Sequence, residues 1–251
     1  MIFPTGCVDN MKDQKRLLAC MVVYNTGPDT SLVLNRFPKE RGFDILIVND
    51  GSIDNTKEII EKSGFNFVNH SKNRGVGAAM RTGIDYGLKN DYYAIAILAG
   101  NNKDDPCEIG KLFNPILNED YDYVQGSRFL KGGRWDNLPV FRYIMVKLHA
   151  FLFYLLTGFK GTDALNGFRA YRLVLFKDNR INIWQEWLDR YELETYLHYK
   201  VIRLGYKVKE VPVSKIYPDN KKKKKYSHIR PIIDWWKILR PLLFLCFKLK
   251  K

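Results

Sequence analysis

Acidic residues, cysteine and histidine are scarce in this sequence. Only 27 Asp and Glu stand against 41 Lys and Arg in 251 residues, a net charge of +14. Such an excess favours a polyanionic partner, whether nucleic acid, an anionic membrane face or a phosphorylated substrate, and does not choose among them. Cys7, Cys20, Cys107 and Cys246 are scattered, with no C-x-x-C pair and no histidine near enough to complete a metal site. That argues against zinc and for reduced cytosolic thiols. The opening MIFPTGCVDNMKDQKR has no apolar stretch of signal-peptide length, and no window reads as the roughly 18 to 20 apolar residues that cross a bilayer. The chain is therefore expected on the synthesis side, with a membrane surface still open to it. No internal repeat is visible.

What is present suffices for one sizeable core. At 46% apolar, the chain is long for one small domain and short for two. We expect a flexible N-terminus over 1–14, one domain over 15–215, and a basic, aromatic lid and amphipathic tail over 216–251. Two short apolar runs, Leu17 to Tyr24 and Asp44 to Asp50, end in Asn-Thr-Gly-Pro and Gly-Ser and read as buried strands of a parallel sheet. Phe65 to His70 and Tyr92 to Leu98 predict two more. Helices are expected over Asp29 to Phe37, after Ser52, and over Gly75 to Leu88, where Val76, Ala79, Met80, Ile84 and Leu88 keep helical spacing. The β-α-β-α-β-α-β order implies an α/β fold with a doubly wound, mostly parallel sheet whose ligands sit at the carboxyl ends of the strands.

Those ends are polar. The first strand delivers Tyr24 and Asn25; the second Asn49, Asp50, Gly51 and Ser52; the third His70, Asn73, Arg74 and Gly75; the fourth the run Gly100 to Asp105. One polar, glycine-bearing loop is ordinary, but four aligned loops of consistent chemistry suit a nucleotide. A carboxylate can take ribose hydroxyls or a base N–H, and a helix N-terminus can meet phosphate.

In order, VVYNTG, IVNDGSIDNT, NRGVGAAMRTGIDYG, QGSRF and DALNGFRAYR resemble the family-2 glycosyltransferases of GT-A fold. More narrowly they are similar to the dolichyl-phosphate mannosyltransferase and polyprenyl-phosphate sugar synthase branch, from about Leu17 to about Val213. The resemblance implies that Asp50 holds the base and ribose of a nucleotide-sugar, with Tyr24, Asn25, Gly51, Ser52, Asn73, Gly75, Asn101 and Asn102 around the donor. It further implies that Arg128 and Arg142 receive a lipid phosphate, that Asp163 lies near the reacting sugar, and that Arg134 and Arg169 lie on the acceptor side. Ser227 and His228 occupy the place of a lid in which related enzymes carry a lysine.

The fourth loop, GNNKDDP, departs from the pattern. The family places Asp-x-Asp there to clamp a diphosphate through Mg²⁺ or Mn²⁺, whereas Gly100 and Asn102 stand here. A neutral amide is a weaker ligand for a hard cation. Three readings stay open: Asp104 or Asp105 replaces the lost acids, with Asn102 as a carbonyl ligand to the metal; Lys103 and nearby arginines neutralise the diphosphate without metal; or a nucleotide-sugar is bound and nothing is transferred. Asp105 before Pro106 also reads as a helix cap.

Beyond it, VFRYIMVKLHAFLFYLLTGF is apolar over much of its surface, which suits a buried core helix or, as in the resembling branch, a helix along the membrane. In the tail, five lysines precede Trp235, Trp236, Leu239, Leu242, Leu243, Phe244 and Phe247. Tryptophan and leucine beside lysine favour an anionic membrane interface over nucleic acid. The expected activity is inverting transfer of a sugar from a nucleotide-diphosphate sugar to a polyprenyl-phosphate-like acceptor at the cytoplasmic membrane face. The alternatives are a saccharide hydroxyl acceptor, with Asp163 as base, and a noncatalytic nucleotide-sugar-binding protein.

Overall fold

The computed structural model describes residues 15–218, 233–247 and 249. The expected flexible N-terminus at 1–14, the lysine run, and Ser227 and His228 lie outside them. The first half alternates β1 (Leu17–Val23), α1 (Gly27–Arg36), β2 (Asp44–Asn49), α2 (Thr56–Lys62), β3 (Asn66–Asn69), α3 (Val76–Lys89) and β4 (Ala94–Ala99). The second half adds α4 (Ile109–Asn118), β5 (Tyr123–Ser127), β6 (Arg134–Asp136), α5 (Val140–Thr157), β7 (Arg169–Arg172), α6 (Glu192–Arg203), β8 (Val208–Pro212), β9 (Ser214–Ile216) and α7 (Ile233–Cys246).

The main sheet runs β3-β2-β1-β4-β7-β5-β8. All seven residues of β1 are buried, because helices cover both faces. Leu18, Cys20 and Val22 enter the core under α3 and α6, and Leu17, Ala19, Met21 and Val23 enter the core under α1 and α4. Each leucine, valine and methionine among them contributes about 1.5–3 kcal/mol on leaving water. That continuous burial is why the strand shows no polar alternation.

One strand of the main sheet runs against the rest: β7 is antiparallel to both neighbours, β4 and β5. Its reversal carries the residues just before it, Asp163 to Gly167, to the rim where β4 and β5 end. β8 pairs parallel with β5, so the chain leaving it reaches the same rim as β9, which pairs with β6. The sequence reading did not anticipate this small second sheet.

The helix α5 is not the fully buried core helix that one reading of its segment expected. Val146, His149, Ala150 and Phe153 pack inward, while Val140, Phe141, Ile144, Leu148, Phe151 and Leu155 are exposed. Contrary to the expectation that no window is apolar enough, α5 has the length and composition of a membrane span. Arg142 and Lys147 interrupt it, and one side rests on α6 and α7.

Candidate active site

The tips of β1 and β4, the loops after β2 and β3, the first turn of α5 and one side of α7 enclose a cavity of about 990 Å³. Of the residues expected from sequence, Tyr24, Asn25, Asp50, Asn73, Gly75, Asn101, Asp104, Arg128 and Arg142 border it. Gly51, Ser52, Asn102, Arg134, Asp163 and Arg169 are not among its lining residues. That volume is at the upper end of ordinary ligand sites and suits a ligand with several polar groups.

Asp50 organises the donor side from below. Its Oδ1 accepts from His70 Nδ1 at 2.7 Å and the Arg74 amide at 2.9 Å, and its Oδ2 accepts from Asn73 Nδ2 at 2.9 Å and the Gly75 amide at 2.8 Å. A carboxylate offers about four lone-pair sites, so all are taken. Asp50, expected to hold base and ribose, borders the cavity, and its carboxylate fixes the loop that forms the cavity edge. Gly75, at φ +106°, leads into α3, and a Cβ there would overlap the Asp189 carbonyl. Gly51, at φ +69°, lies against the Lys72 and Asn73 backbone. It and Ser52 shape the turn instead of facing ligand, since Ser52 bonds Asn49 and the Asn25 amide.

The tip of β4 does not fit a divalent cation. A side chain at Gly100 would overlap buried Val23, and Asn102 sits in a left-handed turn at φ +58° away from the cavity. The Asp104 carboxylate is 1% exposed and accepts from Lys215 Nζ. Asp105 caps the turn after it, accepting from the Cys107 amide at 3.1 Å. Among the described residues, only Asn101 Oδ1 is buried at the cavity without a hydrogen-bond partner, a single neutral oxygen. Among the described residues no three His, Cys, Asp or Glu cluster as ligands. Hard cations require an oxygen-rich shell, commonly with carboxylates, so Asn102 and Asp104 are corrected as metal ligands.

Cations occupy that corner instead. Lys103 is 7% exposed and borders the cavity. Burial first, then neighbouring Lys215 and Arg142, push its ammonium down to about 7, against opposing pulls from Asp104 and Asp29. Its Nζ lies 5.3 Å from the centre of the Tyr217 ring, and the Arg142 guanidinium lies 5.7 Å from the same ring.

On the acceptor side Arg128 and Asp163 form one buried unit. Asp163 accepts from Arg128 Nε at 2.6 Å, Nη2 at 3.2 Å and the Arg128 amide at 3.1 Å, and Arg128 Nη1 bonds the Tyr217 hydroxyl at 2.7 Å. Burial opposes the charge on Arg128, but Asp163 and Tyr217 outweigh it and raise its pKa. Three of the five guanidinium N–H donors are thus committed, and two remain. Asp163, fully enclosed, cannot reach a substrate proton, so its expected role as base is corrected to positioning Arg128. Glu210 supports the arrangement by accepting from the Thr162 and Asp163 amides at 2.8–2.9 Å. Arg169 is also corrected: it is buried and bonds the Asn166 and Glu194 carbonyls. Arg134 pairs with Asp136 on the exposed surface of β6.

Several lining residues escaped the sequence reading, among them Asp29, Arg190, Glu194, Lys215, Tyr217 and Lys237. Lys215 and Tyr217 could have been found from strand alternation, which puts residues two apart on one face. Glu192, at the start of α6, is buried and paired with Arg240 of α7.

The profile of Glycosyl transferase family 2 matches residues 19–180. An uncharacterised protein of Methanocaldococcus jannaschii is 31% identical over 93% of each chain. A UDP-N-acetylglucosamine–dolichyl-phosphate N-acetylglucosaminyltransferase of Methanococcus voltae is 27% identical over 82% of this chain and 87% of its own. Glucosyl-3-phosphoglycerate synthase from Mycobacterium tuberculosis, solved with Mn²⁺, UDP and phosphoglyceric acid, superposes with a TM-score of 0.67 at 14% identity, covering 92% of this chain and 78% of that one. With its parallel β3-β2-β1-β4 half, its reversed β7 and the cavity at the strand tips, this chain belongs to glycosyl transferase family 2 and is a glycosyltransferase of GT-A fold.

Proposed function

We propose that the chain transfers a sugar, with inversion, from a nucleotide-diphosphate sugar to a polyprenyl-phosphate-like acceptor, while lying on the cytoplasmic face of a membrane. The observation that carries this reading is the double duty of α5. Its first turn delivers Arg142 to the cavity, and the same helix exposes Phe141, Ile144, Leu148 and Phe151 to solvent. Trp135 and Tyr143, packed edge-on against Phe129 at its foot, are half-exposed aromatics of the kind that sit at a headgroup boundary. An anionic headgroup can reach Arg142 and the two remaining donors of Arg128 while its chain stays with the apolar face. Guanidinium pairs both hold and aim a phosphate.

The relative from Methanococcus voltae is named for a dolichyl-phosphate acceptor, which agrees in chemistry. A phosphate acceptor is already anionic at neutral pH, so it needs alignment and leaving-group stabilisation more than a base. The enclosure of Asp163 favours that acceptor over a saccharide hydroxyl. Direct attack opposite the leaving group inverts the anomeric centre.

The test is a calorimetric panel of UDP-, GDP- and CDP-sugars, followed by transfer assays on vesicles holding polyprenyl phosphate and, separately, on soluble glycans. Lipid-linked product of inverted configuration supports the proposal. Transfer to glycans alone would refute it.

A further inference from the structure

We infer that the ammonium of Lys103, with Lys215 and Arg142 beside it, takes the place of a divalent cation at the tip of β4 and meets the donor diphosphate directly. The inference rests on the proposed nucleotide-diphosphate donor and says how this chain holds it.

Three observations carry it. First, Lys103 is 93% buried by its 7% exposure, borders the cavity, and forms no ion pair with a described carboxylate. Buried ammonium groups without an anionic partner are costly, and a bound anion removes that cost. Second, the position is built: the Lys103 carbonyl accepts from the Ile216 amide at 2.9 Å, and the Asp104–Lys215 ion pair ties the same loop to β9. Lys215 spends its charge on Asp104 and also donates to Asn166 at 3.0 Å, while Lys103 borders the cavity beside it. Third, the place of a metal ligand is closed by packing, because any side chain at Gly100 would overlap Val23.

In the transfer step an acceptor oxygen forms a bond to the anomeric carbon while the bond from that carbon to the β-phosphate oxygen breaks. The electron pair stays on the departing oxygen, and the nucleoside diphosphate leaves with one more negative charge. With an anionic phosphate acceptor no proton moves. Lys103 stands where that charge grows, the position at which a fixed cation accelerates transfer.

The test titrates the full chain with UDP, GDP, CDP and inorganic pyrophosphate after EDTA treatment and again with Mn²⁺, with the free nucleosides as controls. Diphosphate affinity that is indifferent to chelator supports the inference. So does a loss of at least about tenfold in that affinity for Lys103→Met and Lys103→Gln, with nucleoside affinity unchanged. Turnover in the same variants should fall about 10²-fold or more. Wild-type binding abolished by EDTA and restored by Mn²⁺ would overturn the inference and leave the transferase reading standing, as would Lys103 variants that bind diphosphate like wild type. Failure to bind any nucleotide with or without metal would overturn both. Should the Lys103 variants not fold, the EDTA and Mn²⁺ arms on the unmodified chain decide alone.

Discussion

Arg128 and Asp163 meet in a buried two-pronged ion pair that joins the end of β5 to the loop entering the reversed strand β7. Removing one partner leaves the other charged and enclosed. We expect Asp163→Ala to cost about 3–5 kcal/mol in chemical denaturation. Asp163→Asn, which keeps the shape, should raise the acceptor KM more than the donor KM, because it loosens Arg128. Equal effects on both substrates would contradict the positioning role.

Asp50 predicts a different signature. Asp50→Asn offers one acceptor oxygen where four donors converge, so the Asn73 to Gly75 loop should loosen and nucleotide affinity should fall by about tenfold. Asp50→Ala should also lower stability by about 2–3 kcal/mol. Nucleotide affinity unchanged in Asp50→Asn would show that the loop holds its shape by other means.

The exposed stripe of α5 should govern lipid attachment without touching donor binding. Replacing Ile144 and Phe151 together with Glu removes two apolar side chains worth about 1.5–3 kcal/mol each in burial. Sedimentation with anionic vesicles should fall by more than about tenfold, with calorimetric donor affinity intact. Retained vesicle binding would place the attachment elsewhere.

Two buried histidines set an acid limit. Burial and then Arg169 press His149 down to about 3, and burial, Arg169 and His149 press His198 well below its ordinary value. Below pH about 6.5 the unfolded chain takes up protons that the folded chain refuses, so this contribution to stability is present above that pH and is lost as pH falls toward 3. The slope should approach about 1.4 kcal/mol per pH unit for each histidine. Urea midpoints measured from pH 7 to 5 should drop accordingly, and less in His198→Phe. A flat profile would mean that the rings gain partners on acidification.

The sequence made β1, β2 and β4 legible because each is an apolar run closed by turn residues, as in Asp44 to Asp50. It could not reveal the reversal of β7 or the β6–β9 pair, since RAYR and SKI are too short to declare direction or partner. Site residues were found where a rim position follows directly from a strand end, as with Tyr24 and Asn73. What spacing could not show is who already occupies a group: the positions of Asp50, Asp163 and Arg169 in the sequence say nothing of the donors and acceptors that fill them. Lys215 was missed because a lysine near a lysine-rich stretch looks solvated, although its neighbour is a buried aspartate.

The pairing of Glu192 with Arg240 has a consequence for how the protein is handled. Helix α7 supplies the counter-ion of an otherwise enclosed acid, and its Lys237 and Ile238 wall one side of the cavity. A version truncated before Ile233 to improve solubility would strand a carboxylate in the interior and open one wall of the cavity.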